Sequence, residues 1–135
     1  MRRRCYIDGM RALPHPDCDQ IDLALVLEAL SDPTRLAIVV RLDDDAEPEQ
    51  RCGDFHEFGT KSNLAYHFAK LRSAGAVRTR VAGTSRHMSL RRADLDSRFP
   101  GLLDMIISAA RASLDHEQKA PVGPRRKPLQ RVARR

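Results

Sequence analysis

The sequence predicts a mainly α-helical domain carrying one small β-hairpin. Three observations predict it. Apolar residues return at helical spacing in several segments, with Leu64, Phe68 and Leu71 at i, i+4 and i+7 as the clearest case. One short stretch, Val77 to Val81, instead alternates Val and Thr with Arg at period two. The 135 residues contain no Trp and only 4% aromatics, which suits small helices packed by Leu, Val, Ile and Ala. That length fits one domain plus tails.

Residues 1–18 read as an N-terminal arm, with a basic run at Arg2–Arg4 and helix-breaking Pro14 and Pro16. Asp19 is placed to cap a helix over Gln20 to Leu30, with Asp22 three residues on. That helix is apolar nearly all round (Ile21, Leu23, Leu25, Val26, Leu27, Leu30), so it has one face for its own core and one for a partner. Asp32 and Pro33 open a second helix to about Leu42, with Leu36, Val39 and Val40 inward. Asp43 to Glu49 reads as a solvated acidic loop, because it lacks the Gly and the ligand spacing of a calcium loop. A short helix from Arg51 to Glu57 turns Cys52 and Phe55 inward.

Thr60 then caps the helix Lys61 to Ala74, and Gly75 ends it. In the ribbon that follows, Ala82-Gly83-Thr84-Ser85 makes the turn and Arg86 to Leu90 returns, with Met88 and Leu90 inward and Arg78 and Arg80 outward. Ala93 to Phe99 is a short helical turn. Pro100 opens the last helix, which runs to about Gln118 with the stripe Leu103, Ile106, Ile107, Ala110 and Leu114, widened by Leu102, Met105 and Ala109. It too has more apolar surface than one contact needs. The folded domain therefore spans residues 19–118. Residues 119–135, rich in Pro and Arg, form a flexible basic tail.

The charge is segregated. The tail holds seven bases and no acid, so removing it takes the net charge from +6 to −1. Residues 5–59 hold thirteen acids against four bases, whereas Thr60 to Arg92 holds eight Lys or Arg and no acid. Such polarity presents one face to a polyanion and keeps another away from it. No apolar run approaches the roughly 20 residues needed to span a bilayer, and no apolar stretch follows the basic N-terminus, so a cytoplasmic protein with no membrane contact is expected. Cys5, Cys18 and Cys52 are odd in number and widely spaced, which makes thiols and not a disulfide framework.

A turn followed by a helix with a polar outer face is what major-groove readout requires, and an Arg-bearing hairpin suits the flanking backbone. At ALSDPTRLAIVVRL (Ala29 to Leu42), TKSNLAYHFAKLRSAGAV (Thr60 to Val77) and RHMSLRRADL (Arg86 to Leu95) the sequence resembles the ArsR/SmtB family of winged helix-turn-helix transcriptional repressors. The resemblance covers about Ile21 to Leu114. It implies a winged helix-turn-helix fold, a homodimer built from the first and last helices, and recognition of double-stranded DNA by the Lys61 to Ala74 helix. By motif position it implies DNA contacts from Lys61, Ser62, Asn63, Tyr66 and His67, with Arg80 and Arg86 on the wing; Lys70 lies on the same polar face. His67 flanks the core stripe and reads equally as a packed histidine. A dimer of this kind, acting as a repressor, would read a dyad-symmetric operator with half-sites about 10 bp apart.

Metal sensors of that family use a Cys-x-Cys in the third helix or Asp and His ligands on the last. Here the third-helix region has Cys52-Gly53-Asp54. The last helix has Asp104 but Ile106 in place of a His, and Asp115, His116 and Glu117 match its far end only loosely. No metal site or cofactor is therefore expected, and the effector is left open. A trigonal thiolate site from Cys5, Cys18 and Cys52, for arsenite or a similar soft ion, is the alternative, as is thiol redox sensing. A winged helix that contacts an acidic protein is a further alternative. Enzymatic motifs are absent from the sequence: there is no P-loop, nucleophile elbow or paired-His zinc motif.

Overall fold

A computed structural model describes residues 13–44 and 49–119. Expectations placed on residues 1–12 (Cys5 among them), 45–48 and 120–135 lie outside the described residues. The chain runs α1 (Leu23–Leu30), α2 (Pro33–Asp44), β1 (Gln50–Arg51), a 3-10 helix (Cys52–Phe58), α3 (Lys61–Ala74), β2 (Val77–Ala82), β3 (Ser85–Leu90), α4 (Arg92–Arg98) and α5 (Leu102–Lys119). The strands form an antiparallel sheet in the order β1-β3-β2. Val77 faces Leu90 and Ala82 faces Ser85 across the hairpin, while Gln50 faces Met88. The two-residue strand β1 is a correction to the sequence reading, which began a helix at Arg51. Main-chain pairing with β3 holds Arg51 extended, and the helix that follows is 3-10 in form.

Ile38 and Val39 of α2, Phe55, Leu71 of α3, Val77 and Met88 form the driest part of the core. Each such side chain contributes about 1.5–3 kcal/mol relative to exposure. Phe55 packs edge-on against Phe68, with ring centroids 5.6 Å apart, and fixes the 3-10 helix against α3. Arg41 lies over the Phe55 ring at 4.9 Å and pairs with Glu57.

Several sequence expectations are corrected at element ends. Asp19 caps nothing. The first turn is a 3-10 helix over Cys18–Gln20, in which Gln20 Oε1 accepts from the Asp17 amide, and the α-helix starts only at Leu23. Pro100 does not open the last helix either. Gly101 takes φ +80° and α5 begins at Leu102. Leu114 leaves the predicted core stripe and is exposed, as is Met105. The acidic segment is not simply solvated: Asp43 ends inside α2 and pairs with Arg92 and with Arg111 (2.9 Å), while Asp104 of α5 takes Arg92 Nη1 at 2.5 Å. Arg92 and Arg111 thereby pin α5 and the start of α4 to the end of α2. The Asp43 hydrogen bond, then that of Asp104, holds the Arg92 pKa above its ordinary value.

The described end of the arm docks on the sheet edge. The Arg91 guanidinium is buried and donates to the Pro16 carbonyl at 2.7 Å and to Asp94 at 2.9 Å. The His15 Nε2 accepts the Thr79 amide at 2.9 Å, and its Nδ1 donates to the Leu13 carbonyl at 2.7 Å. The Thr79 amide can only donate, so this pair requires the neutral ring protonated on Nδ1.

Candidate nucleic-acid interface

The local sequence makes α3 start and stop sharply. Thr60 Oγ1 accepts from the Asn63 amide at 3.3 Å. At the far end Gly75 has φ +85°; its amide donates to the Arg72 carbonyl and the Ala76 amide to the Leu71 carbonyl, both at 3.0 Å. A Cβ on Gly75 would lie 2.7 Å from Ile21, so glycine is required by both conformation and space.

The helix is held from behind by three motif residues. Asp32 Oδ1 accepts the amides of Thr34 (2.9 Å) and Arg35 (3.1 Å) and so caps α2, as its sequence position predicts. Arg35, almost wholly buried, reaches back to the end of α1, where Nε donates to the Ala29 carbonyl at 2.6 Å and Nη2 lies 3.5 Å from that of Glu28. Its Nη1 meets His67 Nδ1 of α3 at 3.3 Å, and that nitrogen lies 3.9 Å from Asp32. Burial raises the Asp32 pKa, but the Arg35 amide, His67 and the Arg35 charge outweigh it, and the carboxyl ends below its ordinary value. Asp32, Arg35 and His67 thus form one joint that sets α1, α2 and α3 relative to each other.

With Leu64, Phe68 and Leu71 turned inward, the opposite side of α3 presents Ser62, Asn63, Tyr66 and Lys70, and Lys61 stands in its first turn, all exposed. Tyr66 is 57% exposed, and Lys70 Nζ sits 5.7 Å from its ring centroid. The face therefore offers amide, hydroxyl and phenol groups between two cations. His67 is apart from that face, half-buried in the joint with Arg35.

On the ribbon Arg86 is exposed near the turn. Arg80 is also exposed but engaged: it meets Glu49 through Nε–Oε2 at 3.1 Å and Nη2–Oε1 at 2.5 Å. The Arg80 hydrogen bond holds the Glu49 carboxyl below its ordinary pKa. Four of the eight cations counted between Thr60 and Arg92 are thus matched by acids from elsewhere in the chain: Arg78 lies 3.7 Å from Asp94, and Arg80, Arg91 and Arg92 make the pairs given above. Sequence reasoning missed Arg35 and Glu49. An Arg inside an apolar helix was the available signal for the first; the second needed the fold.

Both described cysteines have their thiol pKa held above the ordinary value. Cys18 Sγ points to the Asp94 carbonyl at 3.8 Å, and its pKa is pushed up by desolvation and by Asp94. Burial also raises that of Cys52, although Arg86 and Arg72 oppose it. Among the described residues no group of three or more His, Cys, Asp or Glu is placed to hold a metal ion.

A short helix, a tight turn, a polar-faced helix and a basic ribbon together define a winged-helix DNA-binding protein. No family model matches the chain. An uncharacterised HTH-type transcriptional regulator of Bacillus subtilis (strain 168), YceK, is 38% identical over 93 residues, which span 65% of this chain and 88% of the relative. The crystal structure of an ArsR family transcriptional regulator matches with TM-score 0.50 at 19% identity, over 73% of this chain and 98% of that one. An ArsR-like transcriptional regulator from Rhodococcus sp. RHA1 matches with TM-score 0.50 at 23% identity, over 75% and 94%. The chain belongs to the helix-turn-helix transcriptional regulators, and its fold is that of the ArsR family's winged helix. It is a DNA-binding regulator and not an enzyme, in agreement with the resemblance read from the sequence. No helix among the described residues is long and apolar enough to cross a membrane.

Proposed function

We propose that the protein is a cytoplasmic repressor that binds a dyad-symmetric operator as a homodimer. The observation that carries this reading is the outer face of α3. It is rigidly capped at both ends, carries no acid, and presents Ser62, Asn63 and Tyr66 between Lys61 and Lys70. Asn63 and Ser62 suit base edges, Lys61 and Lys70 suit phosphates, and Tyr66 suits either a base edge or a thymine methyl. Arg86 and Arg80 extend the contact from the wing to the flanking backbone. His67 contributes from behind, by fixing the angle of α3 through Arg35.

Support for the dimer lies in the two helices with surplus apolar surface. Leu23, Leu25 and Leu27 of α1 are 42–50% exposed, and Met105 of α5 is 73% exposed. Covering both would place two α3 helices on one side of a two-fold axis, facing successive major grooves. The test is operator selection from a random duplex library followed by footprinting. A protected site with two inverted half-sites about 10 bp apart is expected. Protection without symmetry would refute the dimeric reading, and retention of no sequence at all would refute the operator reading. Repeating the selection with soft metal ions and with a thiol oxidant would identify an effector acting through Cys5, Cys18 or Cys52; loss of the retained sequence under either condition would establish one.

A further inference from the structure

We propose that Glu49 is a specificity-determining residue of the wing, because its carboxylate neutralises Arg80 until a phosphate arrives in contact geometry. The inference rests on the DNA-binding reading above. Arg80 and His87 face each other across β2 and β3, and Glu49 lies just ahead of β1, the strand that pairs with β3 at His87. From there it reaches Arg80 through two oxygens, at 3.1 and 2.5 Å, and its Oε1 lies 3.4 Å from His87 Nδ1. The bidentate fork is the geometry a phosphate would use on the same guanidinium.

The consequence follows from range. An Arg already neutralised by a carboxylate releases few counterions from a duplex, and counterion release supplies nearly all of sequence-independent binding. At contact distance a backbone phosphate can replace the carboxylate on the fork, as it does when α3 is seated in a groove. Arg80 then adds to the seated complex and adds little to the loose one. Arg86, which makes no ion pair with a carboxylate among the described residues, serves both.

Glu49→Gln and Arg80→Ala test this singly and together, by anisotropy titration of the full chain against a random-sequence duplex and against the operator selected by the wild-type protein. Freeing one cation should raise the salt slope on random duplex by about 0.9, which is about eightfold in affinity at 0.1 M salt. Operator affinity should rise by less, so that the ratio between the two falls. In the Arg80→Ala background Glu49→Gln should change neither. The proposal is overturned if Glu49→Gln leaves random-duplex affinity unchanged, tightens both duplexes equally, or tightens binding as much without Arg80. Failure of the wild-type protein to bind either duplex would instead sink the DNA-binding reading itself.

Discussion

Replacing Arg35 by Met keeps most of the apolar stem in its slot and removes every donor. The Ala29 carbonyl loses a short charge-assisted hydrogen bond, at 2.6 Å, in a buried setting. Such a bond contributes about 1.5–3 kcal/mol. The end of α1 also loses the cation facing its last carbonyls, for about 0.5 kcal/mol more. His67 Nδ1 loses a partner at 3.3 Å, a further ~1 kcal/mol. The contact at 3.5 Å to the Glu28 carbonyl is long and is left out. Together these give about 3–4.5 kcal/mol, which in a domain of this size lowers the melting temperature by at least ~12 °C. Thermal unfolding followed by circular dichroism measures it directly. The His67→Ala variant supplies the control, because Arg35→Met and His67→Ala should be less than additive. A melting temperature within ~4 °C of wild type would refute the joint, and strict additivity would refute the Arg35–His67 link within it.

Tyr66→Ala and Asn63→Ala should each weaken operator binding by about 1–3 kcal/mol and random-duplex binding much less; equal losses on both would show that these residues touch only phosphate. His15 has a pKa below its ordinary value, through burial first and then Arg91, Arg72 and Arg78, against the raising effect of the Leu13 carbonyl. Its neutral form is therefore favoured by folding, and the stability it contributes is complete above pH 6.5 and is lost as pH falls from there through the folded pKa. Denaturant titrations across that range should show the decline, and His15→Gln should flatten it; an unchanged slope would refute the His15–Thr79 contact. Because burial raises the Cys52 pKa, iodoacetamide should alkylate it in the native protein more slowly than in the urea-unfolded chain at pH 7.5, and a faster native rate would show an activated thiol. Leu25→Glu should convert a dimer to monomers in sedimentation while leaving the circular dichroism spectrum unchanged; a dimer that survives would place the interface elsewhere.

How much the sequence disclosed depends on the range of the signal. The bounds of α3 are read from Thr60, Gly75 and the stripe between them, because a cap, a left-handed residue and a helical period are all local. Strand β1 could not be read that way. Two residues carry no period, and only pairing with His87 and Met88 makes Gln50 and Arg51 a strand. Pro100 misled for a related reason: a proline suits a first helical turn, but Gly101 at φ +80° interrupts the chain after it. The polar face of α3 was legible because it is what remains once its core stripe is turned inward. The wing was legible in outline only, since its alternation places Arg80 outward but says nothing about Glu49, which lies 31 positions away.

The same distinction bears on the charge pattern, which is where composition argues most strongly and resolves least. A run of 33 residues without an acid suggests a uniformly cationic surface. Folding brings Glu49, Asp43, Asp94 and Asp104 onto parts of it, where Glu49 meets Arg80, Asp94 meets Arg78 and Arg91, and Asp43 and Asp104 share Arg92. Among the described residues these pairs leave a narrower set of cations in that run: Lys61 and Lys70 on the helix, half-buried Arg72 near its end, and Arg86 on the ribbon. A broad cationic face binds any polyanion, with an affinity that tracks its charge. A narrow one gains most when its few cations and its polar side chains are matched together. On the reading proposed above, Glu49 and Asp43, which the charge count sets against the basic segment, are thereby part of how that segment discriminates.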